Sequence, residues 1–218
     1  MPVEEQHQVQ VRSQRRHGRI LEAALEVFTR KGYHAASVDD IAAESATSKG
    51  GVYFHFPGKQ AIFLALLDEM TALLRSRAEA AMAAEDEPLR KADAALRVVL
   101  ETFAGHRTLT RLFLVEARGA GREFHERMAD IHESFAVLIA QRLAEAVRRG
   151  AIPPLDTAVA GRMWFGALHE VVAAWVHSGM AMPLLDAYPT VRALLLRSVG
   201  APPAMTEQEY DSNGHDDA

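Results

Sequence analysis

The chain has 218 residues, a formal net charge of −5 and no cysteine. That length accommodates one or two compact units with cores of their own, and the lack of thiols excludes disulfides and thiolate metal sites. No stretch reaches the roughly 20 apolar residues of a membrane span, and the polar start MPVEEQHQVQVRSQRRHGR has no signal-peptide run, so a cytoplasmic protein is expected.

Taken in chain order, residues 1–12 are polar and aperiodic and read as a disordered arm. From about Arg15, Ile20, Ala24 and Phe28 recur at helical spacing, and Lys31-Gly32 is a stop. Ser37-Val38-Asp39-Asp40 is a capping box opening a second, short helix through Ala43. After a break at Ser45-Ala46, Thr47 or Ser48 caps a third short helix ending near His55, and Lys59 starts a longer fourth after Pro57-Gly58. Pro88 suits the start of a fifth, ending near Gly105, and Thr108 caps a sixth closed by Gly119. The seventh carries Phe124, Met128, Ile131, Phe135 and Leu138 and closes at Gly150. Asp156 caps an eighth closed by Gly179, and a ninth runs from about Ala187 to Ser198 before Gly200. The expectation is an all-α fold of about nine helices without internal repeats. Residues 13–58 form a small first domain, residues 59–200 a larger second one, and residues 201–218 a disordered acidic tail.

Two short helices joined by a tight turn, behind a longer helix, have the spacing of a helix-turn-helix. An ordinary helical bundle with short helices is the alternative. Local charge favours a nucleic-acid partner more than the net charge does. Residues 12–60 hold eight basic side chains against five acidic ones, whereas residues 201–218 hold five acidic ones and no Lys or Arg.

The segment S-V-D-D-I-A from Ser37, S-K-G-G-V-Y-F-H-F from Ser48, Gly58-Lys59, and A-x-x-x-F-x-x-x-G-Y from Ala24 closely resemble the signature of TetR-family regulators. The resemblance implies a three-helix DNA-binding domain on a helical domain that dimerises and binds a ligand. It implies phosphate contacts for Tyr53, His55 and Lys59 and base-edge contacts for the Thr47–Val52 stretch. Arg15, Ser37, Thr47, Ser48, Lys49, Gly50, Gly51, Tyr53, His55 and Lys59 are thus the expected DNA-binding set on a palindromic operator. For Tyr53 a core aromatic is the other reading, and Val52 and Phe56 are assigned to the core. Arg12, Arg15 and Arg16 either enter the minor groove or touch backbone, or form a solvated basic tail. Two positions depart from the family: Ala46 stands where the turn usually has Gly, and Gly51 where Thr is common. If Ala46 is left-handed, it costs roughly 1–2 kcal/mol.

No G-x-S-x-G, P-loop or H-E-x-x-H motif is present, and Gly119-Ala120-Gly121 lacks the third glycine of a dinucleotide fingerprint. No enzyme, cofactor or metal is expected; His125 and His132, seven apart, are not a chelating pair. A helical partner-binding protein without DNA affinity is the competing class, separable by a salt-dependent gel shift.

The eighth helix carries small residues, Gly161, Gly166, Ala173 and Ala174 among them, and the ninth offers Leu194 and Leu195. Dimerisation through Gly166, Ala173, Leu194 and Leu195 is expected, with packing inside one subunit as the alternative. Leu112, Phe113 and Glu116 share a face of helix six; Phe165 and His169 share one on helix eight beside Trp164. Glu116 and His169 are either structurally paired, with Arg111, Arg118 or Arg162, or are the polar groups of an apolar ligand cavity. Arg162-Met163-Trp164-Phe165-Gly166, Glu170, Trp175-Val176, Glu116-Ala117-Arg118 and Gly150-Ala151-Ile152 are similar to the fatty-acid-responsive TetR regulators. That resemblance implies a repressor released from DNA by long-chain acyl-CoA; Leu112, Phe113, Glu116, Trp164, Phe165 and His169 are the expected ligand-binding residues. A planar or cationic drug-like effector controlling an efflux pump is the alternative.

Overall fold

The computed structural model describes residues 3–115 and 121–202. Among these the chain is helical with no strand. The elements are α1 (Val3–Ala35), α2 (Val38–Glu44), α3 (Lys49–His55), α4 (Lys59–Ala83), α5 (Pro88–Gly105), α6 (Arg107–Leu114), α7 (Arg122–Arg148), α8 (Thr157–His177) and α9 (Tyr188–Ser198), with a 3-10 turn at Leu184–Ala187 before α9.

Most boundaries follow local chemistry. Ser37 accepts the Asp40 N–H while the Asp40 carboxylate accepts from the Ser37 backbone, closing the capping box of α2. The Asp156 carboxylate accepts from the N–H groups of Ala158 and Val159 at the start of α8. Gly32 has φ 77 and ψ 157, so the regular part of α1 stops where the basic-Gly signal places it. Gly150, Gly179 and Gly200 have positive φ and close their helices by one shared device. Each glycine donates to a carbonyl three residues back, and the next residue donates five residues back. Ala46 closes α2 in the same way, with Ala46 N to Ala43 O at 3.2 Å and Thr47 N to Ala42 O at 2.9 Å. Its φ is 49, the left-handed conformation that Ala adopts at a cost.

Two elements differ from expectation. The polar arm is not separate from the first helix, because α1 reaches back to Val3. No Gly or Pro interrupts residues 3–17. Helix α6 starts at Arg107, leaving Thr108 inside it. Most of the expected tail, residues 203–218, lies outside the described residues.

The chain divides into two compact units. One comprises the residues up to Leu73 with Arg107 to Glu126; the other comprises Leu74 to His106 with the residues from Arg127 onward. The first is centred on Phe63 of α4, whose ring meets Phe28 at 5.7 Å, Tyr33 at 4.7 Å, and Phe113 and Phe124 at 5.4 Å each. These contacts draw the first turns of α4 and all of α6 into the helix-turn-helix unit, with Ile20, Leu21, Val27, Ile41 and Ile62 buried around them.

In the second unit α7 and α8 approach closely at Gly161, where a Cβ would come within 2.5 Å of the Ala136 carbonyl oxygen. Helix α5 is tied to α9 by Asp93, which accepts from the Tyr188 hydroxyl at 2.6 Å and from Nε of buried Arg192 at 2.9 Å. Burial, then the Asp93 hydrogen bond, hold the Tyr188 phenol well above its usual range.

Candidate nucleic-acid interface and effector site

The helix-turn-helix is clamped by ion pairs that run between its helices. Arg30 of α1 pairs with Glu44 of α2 at 2.6 Å, Lys31 with Asp40 at 2.7 Å, and Asp39 with Lys49 of α3 at 2.9 Å. The Lys31 hydrogen bond, followed by those from Ser37, lowers the Asp40 carboxyl to about 2. The Lys49–Asp39 pair is exposed on both sides, so it has little net worth and leaves the ammonium open to a competing phosphate.

Helix α3 is capped by Ser48, whose Oγ accepts the Gly51 N–H at 3.1 Å. Val52 and Phe56 turn inward as expected, at 0% and 5% exposure. Ser48, Lys49, Gly50, Tyr53 and Phe54 face outward, with Thr47 and Gly51 half-buried at the rim. Tyr53, 47% exposed, is not a core aromatic. Phe54 was not among the residues singled out from sequence, yet it is 81% exposed. Its signal was positional: it follows Gly50 by four residues and so shares the outer face. The hydroxyl of Ser37 is held in the capping box. Arg15 is exposed on α1, in line with Arg12, Arg16 and Arg19, so this basic stretch is a helix face and not an extended arm.

Two expected phosphate contacts have other surroundings. The Lys59 ammonium donates to the carbonyls of Tyr33 at 2.7 Å, Ala36 at 2.9 Å and His34 at 3.1 Å, and lies 4.6 Å above the Tyr33 ring. An ammonium has three N–H groups, and here all three are used inside the protein. Lys59 therefore caps the end of α1 and is not free for a phosphate in this conformation. Burial lowers its pKa. The His55 ring is half-buried beside His17, at 6.1 Å, and burial, then His17 and Arg16, lower its pKa.

The expected effector residues fall into separate clusters. Leu112 and Phe113 are buried in the first unit, Phe113 against Phe63. Glu116 lies outside the described residues. Trp164 is buried and donates from Nε1 to Ser198 Oγ at 3.1 Å, which fixes α8 to α9. Phe165 and His169 do come together, with His132 and Phe135 of α7. Arg162, considered as a partner for His169, instead pairs with Glu133 at 2.9 Å. A groove of about 420 Å³ is lined by Arg75, Asp130, Glu133, Ser134, Val137 and Leu138. The Arg75 guanidinium donates to Ser134 and lies 5.3 Å over Phe135.

The dimerisation set also divides. Ala173 and Leu195 are buried within the second unit, at 9% and 6% exposure, so they belong to its own core. Gly166 and Leu194 are exposed. With them, Val159 and Met163 of α8 stand 51% and 60% exposed, and Leu194 of α9 62%.

Residues 20–66 match the model of the tetR family of bacterial regulatory proteins, and residues 67–198 match that of the YsiA-like protein C-terminal region. The chain belongs to the TetR family. This TetR-family protein is a transcriptional regulator, not an enzyme; its family is one of bacterial regulatory proteins and its relatives are regulators. It is 25% identical over 181 residues to the fatty acid metabolism regulator protein of Bacillus subtilis, covering 83% of this chain and 93% of that one. It is 28% identical over 175 residues to the transcriptional regulator UidR of Escherichia coli, covering 76% and 84%. The fatty acid degradation regulator FadR of Bacillus halodurans shares the fold, with a TM-score of 0.78 at 24% identity over 86% of this chain and 97% of that one. FadR of Bacillus subtilis, solved in complex with stearoyl-CoA, has a TM-score of 0.73 at 25% identity, covering 81% and 96%. No helix among the described residues is long and apolar enough to cross a membrane.

Proposed function

We propose that this TetR-family regulator is a cytoplasmic repressor that binds a near-palindromic operator as a homodimer and is released from it by long-chain acyl-CoA. The effector reading is carried by the likeness to the Bacillus subtilis fatty-acid regulator, which extends over 93% of that protein and includes a relative bound to stearoyl-CoA. The aromatic cluster of Phe135 and Phe165 supports it by supplying an apolar surface for methylenes. Val159, Met163, Gly166 and Leu194 are the dimer face: Val159, Met163 and Leu194 are large apolar side chains left exposed, and exposed apolar surface marks an interface. Lys49, Gly50, Tyr53 and Phe54 are the surface offered to the major groove.

Release follows from linkage. An effector that prefers a different spacing of the two recognition helices weakens DNA binding by the ratio of its affinities for the two states. A hundredfold effect corresponds to about 2.7 kcal/mol, within the ordinary allosteric range. Calorimetry with acyl-CoAs of increasing length tests the effector. Each methylene buried should add about 0.8 kcal/mol until the site is full. Phe165→Asp should abolish the response and leave operator affinity intact. No binding at any chain length would remove acyl-CoA and leave the regulator standing.

A further inference from the structure

Within the second unit, the His132 imidazole of α7 packs on Phe165 of α8, ring centroids 4.8 Å apart, and meets His169 edge-on at 5.1 Å. Phe165 in turn stacks on His169 at 6.1 Å and on Phe135 at 6.5 Å. Nε2 of His132 is cut off from solvent and has no hydrogen-bond partner. Burial, and then the neighbouring His169, lower the His132 pKa, so the ring is neutral at neutral pH. A neutral imidazole offers one N–H and one bare nitrogen. A buried polar atom left unmet is costly, and native proteins keep few of them without a use. Of the acidic groups nearby on α7, Glu133 holds Arg162, and both it and Asp130 line the groove beside Arg75.

We propose that His132 Nε2–H is the hydrogen-bond donor for the acyl carbonyl of the effector, with Phe135 and Phe165 against the adjoining methylenes. This inference rests on the acyl-CoA reading and adds to it the atom that reads the thioester. The chemistry suits a neutral ring: a thioester carbonyl is a neutral acceptor, it sits at one end of an apolar chain, and binding it satisfies the buried Nε2 that the cluster leaves unmet. His169 and Phe165 hold the His132 ring in place, and the cluster excludes water from the new bond.

Stearoyl-CoA and its S-stearyl thioether, which lacks only the carbonyl oxygen, separate this role from packing. The wild-type protein should bind the thioester about tenfold more tightly than the thioether. His132→Phe should bind both alike, at the thioether's level, with unchanged operator affinity and a melting temperature no lower than the wild type's. His132→Gln, which keeps an amide N–H, should recover part of the preference. With a carbon-13 label at the acyl carbonyl, the bound resonance should lie downfield in the wild type relative to His132→Phe. Equal affinity of the wild type for thioester and thioether overturns the assignment of His132 while leaving acyl-CoA as effector. Absence of stearoyl-CoA binding by the wild type overturns both. Should His132→Phe fail to fold, His132→Leu takes its place: a thioester preference kept in that variant overturns the assignment of His132.

Discussion

The Lys59 ammonium of α4 donates to the Tyr33 carbonyl at 2.7 Å, across 26 residues of sequence, and completes its set of donors on Ala36 and His34. A side chain marked by its family position as a phosphate ligand thus closes the end of α1 and fixes the start of α4 against it.

Lys59→Met is therefore expected to act on stability first. It keeps the stem and removes three charge-assisted hydrogen bonds, for a loss of about 2 kcal/mol. For a domain of this size that is a fall in melting temperature of roughly 4–8 °C. The salt dependence of DNA binding should keep its slope, because no phosphate contact is lost. A slope flatter by about one unit, with unchanged melting, would return Lys59 to the DNA interface.

Ala46 offers the opposite change. At φ 49 it occupies the position that Gly150, Gly179 and Gly200 fill at the other helix ends closed in this way. Ala46→Gly should relieve the left-handed penalty and return part of it as unfolded-chain entropy, for a net gain of about 0.5–1 kcal/mol. Differential scanning calorimetry should show a rise in melting temperature; a fall would mean that the Ala46 methyl contributes packing that outweighs the strain.

The two glycines of α3 are not equivalent probes of the DNA face. A Cβ on Gly51 would lie 2.8 Å from Thr47 Cγ2 and 3.2 Å from the capping Ser48 Oγ, whereas one on Gly50 meets nothing within 4 Å. Gly50→Glu should keep its helical circular dichroism and melting temperature while losing operator binding by at least tenfold, since it sets a negative charge on the outer surface of α3. Intact operator affinity in that variant would take this end of α3 out of the interface. Gly51→Glu should perturb the cap as well, and so lose stability together with binding.

Leu194 and Ala173 separate the dimer face from the core. Leu194→Glu, at a position 62% exposed, should give a folded monomer by sedimentation with weakened operator binding. Ala173→Arg, at a position 9% exposed, should instead lower helicity and melting temperature, because a charge buried without a partner costs several kcal/mol. A dimer that survives Leu194→Glu and a matching Met163→Arg would place the contact on another face.

The features legible in the sequence are local ones. Helical spacing of Ile20, Ala24 and Phe28, the capping box at Ser37, the cap at Asp156 and the glycine stops at 32, 150, 179 and 200 each depend on contacts within about five residues, so the chain carries them wherever it goes. The helix-turn-helix, built almost entirely from such signals, was legible down to the inward turn of Val52 and Phe56. Which face of an apolar helix meets its own chain depends on long-range packing. Helix α8 is rich in small and apolar residues all round, so nothing in its periodicity distinguishes Gly161 and Ala173, buried inside the second unit, from Gly166 and Met163, left outside. The same holds for Trp164, turned to Ser198, for Phe113, drawn to Phe63, and for Lys59, whose three acceptors are carbonyls more than 20 residues away. The unmet Nε2 of His132 is likewise a product of packing: a histidine becomes an orphan only when Phe165 and His169, from another helix, close over it.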